Sequence, residues 1–391
     1  MLFYYHKNIP MKKLIFCLVT AGMLSCSGKD NGIEPVIIPE EVPEVKVEPG
    51  TRNPLKWPFA QNSIWNMPIG SKAVYIHAKI EQATQSGMTI DEDYIVMSPD
   101  APLVDIYENY AGWDKTKSRC QIQGKLLFSA PIPKNFEVSP STWDGTTPNA
   151  GLAVLMADKR TIRQTQPFAF CDPSKGATSQ YIFDNQDIYG SGMYGAHGGS
   201  GLSALGGALR IGELTPTSGA IRHALKVNLY GRKNIFYDSK TKGFRWPALR
   251  ADGYAAENYS KDRTMEPVKA CRMGALLALP TKMNLDSLAF ETQPARILAE
   301  AFQNYGAYLV DDTGWNVYAI ITEWSPNGRF SDEFKKNWGF SFTQSSKNTP
   351  WSRDIERIFL NLYVVDNNNS TSIGGGGIPG LPLAPVFETT K

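Results

Sequence analysis

A two-residue period runs through positions 221–230. Ile221, His223, Leu225, Val227 and Leu229 fall on one side, and Arg222, Ala224, Lys226, Asn228 and Tyr230 on the other. Alternation of this kind predicts a strand with one apolar face. Short apolar runs bounded by glycine at 150–156 and 208–211 predict two more, of the buried kind. The runs 307–310 and 315–321 flank Asp311-Asp312-Thr313-Gly314, whose acid–glycine tip predicts a hairpin. Helical spacing predicts one helix through Ile297, Leu298, Ala301, Phe302 and Tyr305, with Pro294 near its start and Gly306 past its end. It predicts a second through Ile355, Ile358, Phe359 and Leu362, capped by Ser352, and a third over 71–85. The predicted fold is mostly β: a β-sandwich, jelly-roll-like or barrel-like single domain with a few peripheral helices.

The first sixty residues follow a different pattern. Met11-Lys12-Lys13, an apolar run from Leu14 to Leu24 and then Ser25-Cys26 form a charged region, a short hydrophobic region and a cleavage point. The run is too short to span a bilayer. Residues 1–25 therefore read as a leader and Cys26 as the lipid-bearing first residue of the mature chain. Met23-Leu24-Ser25-Cys26 resembles a lipobox, with Met23 where leucine is usual. Ser27 to Asn31 resembles the short polar stretch that sends lipoproteins of Bacteroidota to the cell surface. Residues 26–53 read as a tether, because prolines at 35, 39, 43 and 49 remove backbone donors and glutamates between them repel. The folded domain is expected over 54–391. The expected location is the outer membrane surface, with membrane contact through the lipid alone.

Charge adds one exclusion. The chain carries +2, and removal of Lys7, Lys12 and Lys13 with the leader leaves −1. No basic run is present, so a nucleic-acid partner is not expected. Three cysteines remain in the mature domain, Cys120, Cys171 and Cys271, enough for at most one disulfide and without metal-ligand spacing. Neither a metal nor another cofactor is expected. Asp366-Asn367-Asn368-Asn369 offers oxygen donors of the kind calcium takes, but such a run is more often a turn.

Candidate chemistry gathers around two segments. Residues 190–207 read GSGMYGAHGGSGLSALGG, too glycine-rich for a strand or helix, and they carry His197. Such a loop brings backbone close to a ligand. Glu213 follows the 208–211 run, and Asp311 and Asp312 end another. Hydrolysis of a glycosidic bond needs two carboxyl groups across one cleft, one protonated and one ionised. Glu213 and Asp311 are the candidate pair, with His223 and His197 beside them. Arg222, Asp158 and Asp312 are candidate substrate contacts. Trp65 and Trp246, with Trp113, Trp143, Trp315, Trp338 and Trp351, are candidate platforms for sugar rings.

Several blocks resemble an uncharacterised family of secreted bacterial proteins. They are Ser63-Ile64-Trp65-Asn66, His197 to Ser203, Ile221 to Leu225, Trp246 to Ala248, Met273-Gly274, Asn304 to Asp312 and Ser372 to Gly377. The similarity covers nearly all of 54–387 and implies one domain. It also implies retention of an acid at Glu213, of Arg222-His223, of Asp311 rather than Asp312, and of Asp158, but it names no reaction. The expected partner is an extracellular polysaccharide or oligosaccharide. Three activities fit: a glycoside hydrolase using the carboxylates; a polysaccharide lyase using His223 or His197 with Arg222 and Tyr230 or Tyr194; and non-catalytic glycan binding.

Overall fold

The structure is a computed structural model describing residues 45–84, 88–114, 116–138 and 150–388. The leader over 1–25, Cys26, most of the tether and Trp143 lie outside these residues. The described residues belong to one compact, mostly β unit.

An eleven-stranded mixed sheet dominates. Its middle runs in the order Leu152–Leu155, Thr89–Val96, Tyr318–Ser325, Leu225–Leu229, Ala307–Asp312 and Leu276–Ala278. On one face Leu225, Val227 and Leu229 pack with Leu298, Phe302, Ile358 and Phe359 of the helices Gln293–Asn304 and Pro350–Leu360. Each such side chain, fully buried, contributes roughly 1.5–3 kcal/mol. The other face carries Ile95, Ala153, Tyr308 and Ile321 beneath Phe59, Trp65 and the glycine-rich loop residues Ala196, Leu202 and Leu205. At one end Tyr94, Val96 and Val154 pack on Ile106, Phe128 and Phe170, which belong to a four-stranded second sheet, so the two sheets are sandwiched locally.

Several local expectations are corrected. The strands Ala307–Asp312 and Tyr318–Ser325 do not form a hairpin. Leu225–Leu229 lies between them, parallel to the first and antiparallel to the second. All five of its residues are buried, which requires a neighbour on each edge and cover on each face. The same strand starts only at Leu225, leaving His223 in the approach to it. Residues 208–211 form a single bridge, Leu209 to Thr322. No helix forms over 71–84; Tyr75–His77 is an edge strand paired with Tyr363–Val365, where Tyr75 and His77 both contact the Tyr363 ring. The helix at 350 is capped by Thr349, not Ser352. The two exchange side-chain bonds with each other's backbone N–H in a capping box, and Pro350 fills the first turn.

The end of the tether also moves. Val47 pairs with Leu383, and Thr51–Arg52 runs parallel to Val386–Phe387. Arg52 donates to the carbonyl of Pro385 at 2.7 Å and its guanidinium lies 3.8 Å from the Phe387 ring centre. Residues 47–52 are thus part of the domain, because a buried guanidinium has found carbonyl acceptors. Cys120 and Cys171 form a disulfide with Cα atoms 5.7 Å apart. Cys271 is free and buried, and burial pushes its thiol up to about 12.

Candidate active site

Three strands of the central sheet aim polar side chains at one place, and two of them supply acids. In Thr89–Val96 the pleat turns Asp91, Asp93 and Ile95 to the loop-covered face and Glu92 to the other, where Arg329 neutralises it. In Leu225–Leu229 the same face receives Lys226 and Asn228. In Ala307–Asp312 simple alternation from Tyr308 would point Val310 to this face and Asp311 away. The register with Leu225–Leu229 slips by one residue after Val227, so Asn228 stands opposite Asp311. This bulge brings Asp311 onto the face of Asp91.

The glycine-rich loop closes over them. A Cβ on Gly198 would lie 1.8 Å from Asp311 Oδ2, and one on Gly199 would lie 2.8 Å from Asp311 Oδ1 and 2.9 Å from Asp252 Oδ2. Only glycine lets the backbone approach the two carboxylates this closely. Ser200 fixes the loop by donating its N–H to the Val310 carbonyl at 2.9 Å. His197, with 3% of its surface exposed, sits below the loop with Nδ1 3.0 Å from Asp93 Oδ2. Lys226 is fully buried and donates to Asp93 Oδ2 at 2.5 Å and to the carbonyls of Ser203 and Ala204 at 2.8 and 3.2 Å. Asp93 therefore accepts from both neighbours, and His197 Nδ1 carries the proton it shares with Asp93. His197 Nε2 has no hydrogen-bond partner and lies 3.9 Å from Asp91 Oδ2.

Toward solvent the acids crowd. Asp91 accepts from Asn228 Nδ2 at 2.9 Å and keeps 31% of its side chain exposed. Asp312 accepts the Gly231 N–H at 2.7 Å, and Tyr259 donates to Asp252. Burial, then the charges of Asp252 and Asp91, hold the Asp311 carboxyl well above the usual carboxylate range. Burial likewise raises Asp91 and Asp252, and lifts Asp312 to about 6. Burial pushes Asp93 up as well, but Lys226 and His197 outweigh it and leave Asp93 below its ordinary value. One oxygen from each of Asp91 and Asp311 and one nitrogen of His197 lie within 4.8 Å of one another, a set able to hold either a proton or a cation.

Glu213 and His223 are placed elsewhere, in a cleft of about 640 Å³ lined in part by Trp57, Arg210, Arg222 and Glu323. His223 Nε2 donates to Glu213 Oε2 at 2.9 Å and its Nδ1 to the Ala224 carbonyl at 2.9 Å. Both ring nitrogens meet acceptors, so the ring is imidazolium. Burial opposes that charge, but Glu213 beside it outweighs burial and raises His223. Glu213 also accepts the Arg210 N–H at 2.7 Å, while Arg210 Nε donates to Glu323 at 2.6 Å. The expected pair is thus not brought together. Asp311 stands beside His197 as expected, and its near carboxylate is Asp91; Glu213 is committed to His223.

The remaining candidates divide. Asp158 accepts from the N–H groups of Arg160 and Thr161 and closes a turn. Arg222 is half-exposed at the cleft and pairs with Glu48. Trp65 is core, donating to the Gly192 carbonyl at 2.7 Å and meeting Tyr308 edge-on. Trp351 is also core, and Trp246 is half-buried against the loop-side core. Trp113 is exposed and stacks on Tyr181. In the run 366–369, Asp366 pairs with Arg245 and the asparagine side chains bond the chain's own backbone. Asp91, Asp93, Lys226, Asn228 and Asp252 were not anticipated. The signal available for the first two was the alternation Asp91-Glu92-Asp93 running into Tyr94-Ile95-Val96.

No family model matches the chain, and no curated protein or solved structure proves similar to it. Among the described residues no helix is long and apolar enough to cross a membrane.

Proposed function

We propose that the chain is an exported lipoprotein, anchored through Cys26 at the cell surface, that hydrolyses glycosidic bonds of an extracellular polysaccharide with Asp91 and Asp311. The observation that carries this reading is the separation of their carboxylate oxygens, within 4.8 Å, under a loop that only glycine permits. Enzymes that retain anomeric configuration hold their two carboxyl groups about 5–5.5 Å apart, near enough for one to attack while the other protonates the leaving oxygen. Like charges at this distance favour sharing one proton, which supplies a neutral and an ionised member. The exposed edge of Asp91 is where a sugar would enter.

Release of reducing ends from polysaccharide tests the proposal. Asp91→Asn and Asp311→Asn should each slow cleavage by roughly 10²–10⁴-fold, whereas Glu213→Gln should leave it largely unchanged. The anomeric configuration of the product, read by NMR, should be retained. Undiminished cleavage by both asparagine variants would overturn the assignment, and unsaturated products absorbing in the near ultraviolet would replace hydrolysis with elimination.

A further inference from the structure

We infer that Asp91, Asp311 and His197 form a binding site for one divalent transition-metal cation. The inference is independent of the glycan reading. Clustered acids alone would not support it; the deciding feature is the imidazole.

His197 is 97% buried by the same measure that leaves 3% exposed, and its Nδ1 proton is committed to Asp93, which Lys226 anchors from the other side. Its Nε2 is buried, has no hydrogen-bond partner and faces a space walled by two carboxylates. A buried ring nitrogen without a partner, beside two carboxylates, has the geometry of a ligand set that a cation would complete. A histidine whose far nitrogen donates to a carboxylate is the usual way a protein orients an imidazole toward a metal and raises its basicity. Asn228 adds to the picture: its Nδ2 holds Asp91 in place while its buried Oδ1 has no partner. One imidazole with two carboxylates suits Mn²⁺ or Zn²⁺ better than Ca²⁺ or Mg²⁺, which favour all-oxygen shells. Gly198 and Gly199 let the loop backbone pass close to the Asp311 carboxylate.

The test uses the mature protein freed of metal and titrated with Mn²⁺ and Zn²⁺ alone. Calorimetry and the loss of the free Mn²⁺ electron-spin signal read the binding. One cation per chain is expected, with a rise in Tm on binding and a weaker response to Ca²⁺. Asp91→Asn and His197→Asn should each weaken binding at least ~10-fold, with circular dichroism confirming that each variant is folded. Asp91 is partly exposed, so its variant keeps the test decisive where the histidine change unfolds the chain. Absence of saturable one-to-one binding, or unchanged affinity in the folded variants, would overturn the inference. Binding and cleavage are read separately: a cation that binds and blocks cleavage agrees with a free acid pair, whereas cleavage that requires the cation removes the acid-pair mechanism and leaves the cation site standing.

Discussion

Two polar regions flank the strand Leu225–Leu229, one at its entry and one at its exit, and they handle charge in opposite ways. At the entry the main charges pair off: His223 with Glu213, Arg210 with Glu323, Arg222 with Glu48. At the exit Asp91, Asp252, Asp311 and Asp312 share one buried cation, Lys226, and that cation is spent on Asp93. The cleft encloses about 640 Å³, yet it resembles a set of ion pairs. The aspartate depression is the region whose electrostatics remain incomplete without a proton, a substrate or a metal. Incomplete charge is a better guide to chemistry than volume.

The comparison can be broken most forcefully at the buried cation. Lys226→Met should leave the buried Asp93 charge with His197 as its one remaining partner and cost about 3–5 kcal/mol, whereas Arg222→Met, at an exposed pair, should change stability by less than about 0.5 kcal/mol; urea unfolding measures both. Equal effects would mean that the two regions are not different in kind. Next comes the loop. Gly198→Ala places a methyl group against Asp311 and should cost about 1–3 kcal/mol, and shortening Asp311 to Ala in the same chain should recover part of it. The smallest effect concerns pH. His223 has its value raised above 6.5 by Glu213, so the pair's contribution is complete below 6.5 and is lost as pH rises through the folded-state value. The Tm gap between wild type and Glu213→Gln should therefore be widest in mildly acidic buffer and narrow above neutrality. A gap that widened with pH would reverse the assigned charge of His223.

The legible parts of the fold were those governed by local pattern. The helix Gln293–Asn304 announces itself through its apolar stripe and flanking Pro294 and Gly306, and Leu152–Leu155 through an apolar run that follows Gly151. The loop with His197 was legible because glycine at that density has few other uses. Strand order was not: nothing local in 307–321 reveals that Leu225–Leu229, some eighty positions earlier, inserts between its two strands. The same applies to the site. Asp311 could be picked out as an acid at a strand end, but its partner depended on which strand lay three places away in the sheet. Asp91 and Asp93 were hidden because inward-facing acids look, in sequence, like the solvent side of a strand. Glu213 was matched to Asp311, whereas Glu213 and His223 satisfy each other.

The one-residue slip after Val227 makes the position of Asp311 a matter of counting. Its side chain faces Asp91 only because the chain carries one backbone unit more than the neighbouring strand at that point. Straightening the strand at its present length would set Val310 opposite Asn228 and swing Asp311 toward the helix-packed core, whereas deleting Val310 would straighten it and leave Asp311 on the face of Asp91. A designer wishing to move this chemistry to another sheet would therefore have to transplant the irregularity along with the aspartates, or shorten the strand by one residue.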